Sequence, residues 1–183
     1  EIQEAKEYLE EAKADLLADG VPFNPNLDVG IMVEVSSAAL LADRLAPYVD
    51  FFSVGTNDLI QYSMAADRAN PDIAYLYQPS HPSIIRLLRH VAHAAYAEGI
   101  WVSICGEMAS EPTLIPLILG LGIHELSMSA GSLNLAKKLI RSLRIHEAEH
   151  LVQAAVKCST ADEVTVLCDD LLHRIAPELT PQF

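Results

Sequence analysis

The sequence has 183 residues, with 25 acidic against 12 basic side chains, a net charge of −13 and 51% apolar residues. That apolar content excludes a disordered chain and suffices for a sizeable core, while the shortage of Lys and Arg excludes a phosphate-backbone footprint, so neither nucleic acid nor an anionic membrane is an expected partner. Three cysteines without CxxC spacing exclude a disulfide framework or structural zinc, and no apolar run is long enough to span a membrane, which leaves the cytoplasm as the expected location.

Residues 1–19 read as one amphipathic helix ended by Gly20, and 21–28 as a loop. A first strand covers 29–35. Ser36 or Ser37 then caps a helix that runs to about Ala46 and stops at Pro47. A second strand, 49–55, runs into Gly55-Thr56-Asn57-Asp58, which reads as a tight turn, and a polar stretch continues to about residue 80. A long helix from Pro82 to Glu98 carries an apolar stripe through Ile84, Leu88, Val91 and Ala95. A third strand is 100–105. The helix expected after Ser110 or Pro112 contains Pro116, which should tighten or kink it. A fourth strand is 124–128. Helices follow at about 132–142, 147–157 and 160–175, the last opened by Thr160 and Glu163 at capping-box spacing.

Strands that alternate with helices predict an α/β fold with a parallel sheet, apolar on both faces. Four such βα units are about half of a closed (β/α)8 TIM-type barrel, which typically needs about 250 residues. Chemistry on such a sheet collects at the carboxyl ends of the strands. Here those ends carry Glu34, Asn57 with Asp58, and Cys105 with Glu107.

A carboxylate at Glu34, inside the apolar IMVEV, is costly unless paired, hydrogen-bonded or on a metal. Either a basic partner at the rim or, with Asp58 on the neighbouring strand end, a Mg²⁺ ion meets that need. The amides of the Gly55–Asp58 turn could cradle an anion or simply make a turn. Arg68, in AADRAN, is a solvated residue unless its loop folds back over the strand ends. Cys105 is either an inert half-buried thiol or, beside Gly106 and Glu107, a proton donor or nucleophile. Glu107 either orients that site or starts a helix. The seven histidines lack an HExxH arrangement and read as structural or solvated.

Taken together, IMVEV (31–35), VDFFSVGTNDLIQYSMAADRAN (49–70), LYQPSHPSI (76–84), ICGE (104–107) and ELSMSA (125–130) resemble the phosphoenolpyruvate-binding domain of enzyme I of the bacterial sugar phosphotransferase system. The resemblance covers nearly the whole chain. It implies that 1–183 is a single domain fragment, the second half of the TIM-type barrel with added C-terminal helices. It implies Mg²⁺ as cofactor, with Glu34 and Asp58 as metal ligands. Asn57, Asp58 and Arg68 become substrate-binding residues, and Cys105 the acid that protonates the departing enolate to pyruvate. It further implies transfer of the phosphoryl group to a histidine on a domain outside this chain, the phosphocarrier protein HPr as partner through that domain, and a homodimer. Ser36 departs from the proline that the family commonly carries after the metal-ligand strand. Two other readings stay open: a fragment of a phosphoenolpyruvate synthase or pyruvate phosphate dikinase relative, and a non-catalytic dimerisation module.

Overall fold

The computed structural model describes residues 1–179. Its centre is a sheet of four parallel strands in the order of the sequence, β1 (Gly30–Val33), β2 (Phe51–Gly55), β3 (Trp101–Cys105) and β4 (Glu125–Leu126). The register sets Val33 against Val54 and Gly55 against Cys105, so the three strand ends that carry the candidate residues lie level. β4 is shorter than expected, yet hydrogen bonds from His124 N to Val102 O (2.9 Å) and Ser127 N to Ile104 O (2.9 Å) extend its pairing on both sides.

The first helix, α1 (Ile2–Ala18), ends as expected. Gly20 takes a left-handed φ of 68°, and Val21 N reaches back to Leu16 O at 3.0 Å. The single helix expected over 36–46 is instead two, α2 (Ser36–Leu40) and α3 (Ala42–Leu45). The break at Leu41 leaves the Leu40 carbonyl to His90 Nε2, 3.2 Å away, and lets Ala39 and Ala42 both bury fully.

The Gly-Thr-Asn-Asp segment is not an isolated tight turn. It opens α4 (Thr56–Met64) directly from the end of β2. Leu59 and Ile60 bury completely, and that burial favours continued helix over a turn. α5 (Pro82–Glu98) follows as expected, with His81 at its N-cap accepting from Ser83 N. Pro116 does not kink a helix, because α6 (Ile115–Gly120) begins only at Ile115 and the proline sits in its first turn, where no N–H donor is needed. α7 (Ala130–Ser142), α8 (Ile145–Ala155) and α9 (Ala161–Ile175) complete the described chain. Thr160 caps α9 by accepting from Glu163 N at 3.3 Å, but the Glu163 carboxylate returns to Ser159 N rather than to the cap residue.

The sheet's two faces differ, against the expectation that both are apolar. Alternation sends Val33, Phe52, Val54, Val102 and Ile104 to one face, where α5 and the other helices bury them. Each such fully buried side chain contributes about 1.5–3 kcal/mol of transfer free energy. The opposite face carries Gly30, Met32, Phe51, Ser53, Trp101, Ser103 and Glu125. Here the Phe51 ring stacks on Trp101 at 4.3 Å and lies across Gly30, while Met32 is 51% exposed. Among the described residues no helix is long and apolar enough to cross a membrane.

Candidate active site

Glu34 follows β1 immediately, and the register sets it beside Gly55 at the end of β2. Gly55 has an ordinary φ of −80°, so its value lies in its size and not in its backbone freedom. A Cβ there would lie 3.0 Å from both Cβ and Oε2 of Glu34, and the glycine therefore lets the carboxylate lie against the β2 end. Asp58 stands in the first turn of α4, where the helix dipole favours a carboxylate. Neither Glu34 nor Asp58 has an ion-pair partner among the described residues. The basic rim partner left open for Glu34 is therefore not found among the described residues.

Arg68 does fold back. α4 ends at Ala65, in the left-handed region at φ 50°, and the chain reverses so that Arg68 N donates to Gln61 Oε1 at 3.3 Å. The guanidinium then reaches across to β3, with Nη1 3.3 Å from Glu107 Oε2. Arg68 and Glu107 are both well exposed, so this bond is worth no more than about 1 kcal/mol and yields readily to a stronger anion. Glu107 both opens a short 3-10 turn and orients the arginine.

Cys105 is half-buried and free. Its Sγ donates to Val54 O at 3.5 Å and lies 4.0 Å from Ser53 Oγ, so β2 holds the thiol at the strand end. The other two cysteines differ. Burial pushes the Cys168 thiol up to about 12, and Cys158 is raised by desolvation and by Glu163. Four of the histidines have the structural roles expected: His81 caps α5, His90 meets the Leu40 carbonyl, His124 accepts from Val102 N and His173 meets Asp169 O.

The join between β3 and α4 is tight. Thr56 is fully buried and its Oγ1 donates to Cys105 O at 2.6 Å. Gly106 takes φ 101°, and a Cβ there would come within 2.5 Å of Thr56 Oγ1 and 2.7 Å of Asn57 Oδ1. Asn57 Oδ1 in turn accepts from Glu107 N at 3.1 Å. The structure thus brings Asn57, Arg68 and the Cys105–Glu107 turn into one hydrogen-bonded rim, with Glu34 and Asp58 at the neighbouring strand ends. Sequence reasoning passed over Thr56, Gly106 and Tyr77. Tyr77 lies in LYQP, and its only signal there was an aromatic residue just upstream of a helix start. Its phenol is raised, first by burial; Arg68 opposes the shift, and Glu107 and Asp58 add to it. Ser36, at the position of the expected proline, forms a 2.8 Å hydroxyl pair with Ser63 on α4.

Comparison with known proteins gives this rim a context. The family described as "PEP-utilising enzyme, PEP-binding domain" matches residues 1–145, which include every candidate residue. The chain is 51% identical over 170 residues to a phosphoenolpyruvate-protein phosphotransferase of Staphylococcus carnosus (strain TM300), covering 93% of this chain and 30% of that protein. It is 49% identical over 171 residues to the protein of the same name from Lactococcus lactis subsp. lactis (strain IL1403), with the same coverage of both chains. A third relative of that name, from Listeria monocytogenes serovar 1/2a (strain ATCC BAA-679 / EGD-e), is 48% identical over 169 residues, which are 92% of this chain and 30% of the relative. The chain thus spans less than a third of these relatives' length. A family match across residues 1–145 and near-half identity over nine-tenths of the sequence lead to one assignment: this chain belongs to the PEP-binding domain family of PEP-utilising enzymes.

Proposed function

We propose that this chain is the carboxyl-terminal half of a phosphoenolpyruvate-binding (β/α)8 barrel, residues 1–183 forming one domain fragment of a cytoplasmic phosphoenolpyruvate-protein phosphotransferase. The observation that carries the reading is the strand-end rim. Two carboxylates without ion-pair partners stand on adjacent strand ends, and Arg68 and Cys105 are brought to the same edge. A pair of carboxylates suits Mg²⁺, which commonly takes only one or two from protein. Glu34 and Asp58 are the residues to hold it. When bound, Mg²⁺ supplies charge neutralisation for the phosphate and for the oxygen that becomes negative as the phosphoryl group leaves.

The chain's own residues divide the remaining work. The Asn57 amide and the Arg68 guanidinium bind the phosphate, the latter by exchanging Glu107 for a more highly charged partner. The bond between phosphorus and the enol oxygen breaks, and the phosphoryl group passes to a histidine nitrogen on a domain outside this chain, from which the carrier HPr receives it for sugar uptake. Cys105 gives its Sγ proton to the methylene carbon of the enolate, forming pyruvate, and regains a proton from water. In reverse, the thiolate takes a proton from the methyl group.

Arg68→Lys tests the phosphate role in the full-length phosphotransferase. Lysine keeps the charge but loses the planar fork, so kcat/KM for phosphoenolpyruvate should fall roughly 10- to 100-fold, the worth of a charge-assisted hydrogen bond of about 1.5–3 kcal/mol. Unchanged kinetics would return Arg68 to the solvated surface.

Self-association belongs to the same reading. β1 and β4 are the edge strands among the described residues, and the face that bears Phe51 and Trp101 also carries Met32, which is 51% exposed. Such an edge and face favour a second layer, and a homodimer is the expected state of the 183-residue chain. Light scattering at micromolar concentration should give at least twice the monomer mass; a monomer with native-like, dispersed spectra would contradict this.

A further inference from the structure

We infer that Tyr77 is a positioning residue whose hydroxyl fixes the Asn57 side-chain amide with its NH₂ toward the phosphate. The inference rests on the reading of Asn57 as a phosphate ligand. An asparagine amide has an accepting and a donating end, and only the hydrogen-bond network decides which way each points. At Asn57 two donors converge on one end: Glu107 N at 3.1 Å and Tyr77 Oη at 3.5 Å both donate to Oδ1. Turning the amide over would set its NH₂ against the Glu107 N–H and would cost the bond that the Tyr77 hydroxyl donates, leaving the phenol to accept instead. Gly106 leaves room for Asn57 Oδ1, since a Cβ there would lie 2.7 Å from it. The NH₂ group is therefore left for an anion.

Glu107 N supplies its bond from the β3 turn and cannot be removed by ordinary substitution. Tyr77 supplies the second from a separate loop, just after the turn Ala74–Leu76. Its ring is half-buried and packs on the main core, so the ring has a structural role and the hydroxyl a separable one. Arg68 also acts on the phenol, opposing the rise that burial causes in its pKa. The Asn57 contact is long, as such contacts often are before substrate tightens a site.

A double-mutant cycle in the full-length protein separates positioning from mere support, with phosphoenolpyruvate and Mg²⁺ as the probes. Tyr77→Phe keeps the ring and should lower kcat/KM for phosphoenolpyruvate about 5- to 10-fold, chiefly through KM. Added to Asn57→Ala it should cost less than about twofold more, because the amide it orients is gone. An equal loss from Tyr77→Phe in both backgrounds, or no loss in either, overturns the positioning role alone. Unchanged kinetics in Asn57→Ala would remove Asn57 from the phosphate site, and the positioning role with it.

Discussion

Cys105→Ala in the full-length phosphotransferase is expected to lower kcat for pyruvate formation by about 10²- to 10⁴-fold, the usual worth of a positioned general acid. KM for phosphoenolpyruvate should change little, because in the proposed mechanism the thiol acts on carbon and not on the phosphate. The thiol is held at the β3 end by the Val54 carbonyl and the nearby Ser53 hydroxyl, both from β2, and its neighbour Gly106 closes on Asn57. A proton donor so fixed reaches the methylene carbon only if the phosphate lies toward Asn57 and Arg68. Cys158→Ala, on the α8–α9 connection, should retain wild-type kinetics and serves as the control for thiol loss in general. Steady-state kinetics decide the matter: a Cys105→Ala enzyme with wild-type kcat would remove the thiol from the reaction.

Asp58→Ala should be at least as severe. A bound Mg²⁺ is worth several kcal/mol of charge stabilisation, and losing one of its two proposed protein ligands should lower kcat/KM by about 10²-fold or more. The Mg²⁺ concentration for half-maximal activity should rise. Manganese binding followed by electron paramagnetic resonance provides a readout independent of turnover, and the variant should bind the ion more weakly. The Asp58 charge also helps to raise the Tyr77 phenol, so its loss alters more than the proposed metal site. Glu34→Gln should therefore show the same metal defect from the other strand end. Metal affinity unchanged in both variants would contradict the assignment.

The alternation of apolar runs with helical stripes made the four strands and the long helix Pro82–Glu98 legible, because strand burial and helix amphipathicity both write a period into the sequence. Less legible were features set by contacts between distant segments. The break at Leu41 depends on His90, fifty residues away. The helix from Thr56 depends on a buried threonine meeting the Cys105 carbonyl, which no local signal announces. Pro116 looked like a kink because the helix start was read too early, a boundary that tertiary burial of Ile115 sets. Both faces were expected to be apolar because parallel sheets usually are, yet alternation puts Ser53, Ser103 and Glu125 on the face that bears Met32 and Trp101. Among the candidate residues, Glu34, Asn57, Asp58 and Cys105 stood out as polar groups ending apolar strands, whereas Arg68 was named from the family resemblance, because its place depends on the reversal at Ala65 and on Glu107. Tyr77 acts across a 3.5 Å gap to Asn57, and only coordinates reveal it.

The claim at the centre is that one strand-end site binds the phosphate, holds Mg²⁺ and moves a proton at carbon through Cys105. Exchange of solvent deuterium into the methyl group of pyruvate, followed by proton nuclear magnetic resonance in the full-length protein, tests all of this at once. The expected result is exchange that needs Mg²⁺, collapses in Asp58→Ala and falls to background in Cys105→Ala. Exchange at the wild-type rate in Cys105→Ala, or undiminished without a divalent cation, would contradict it.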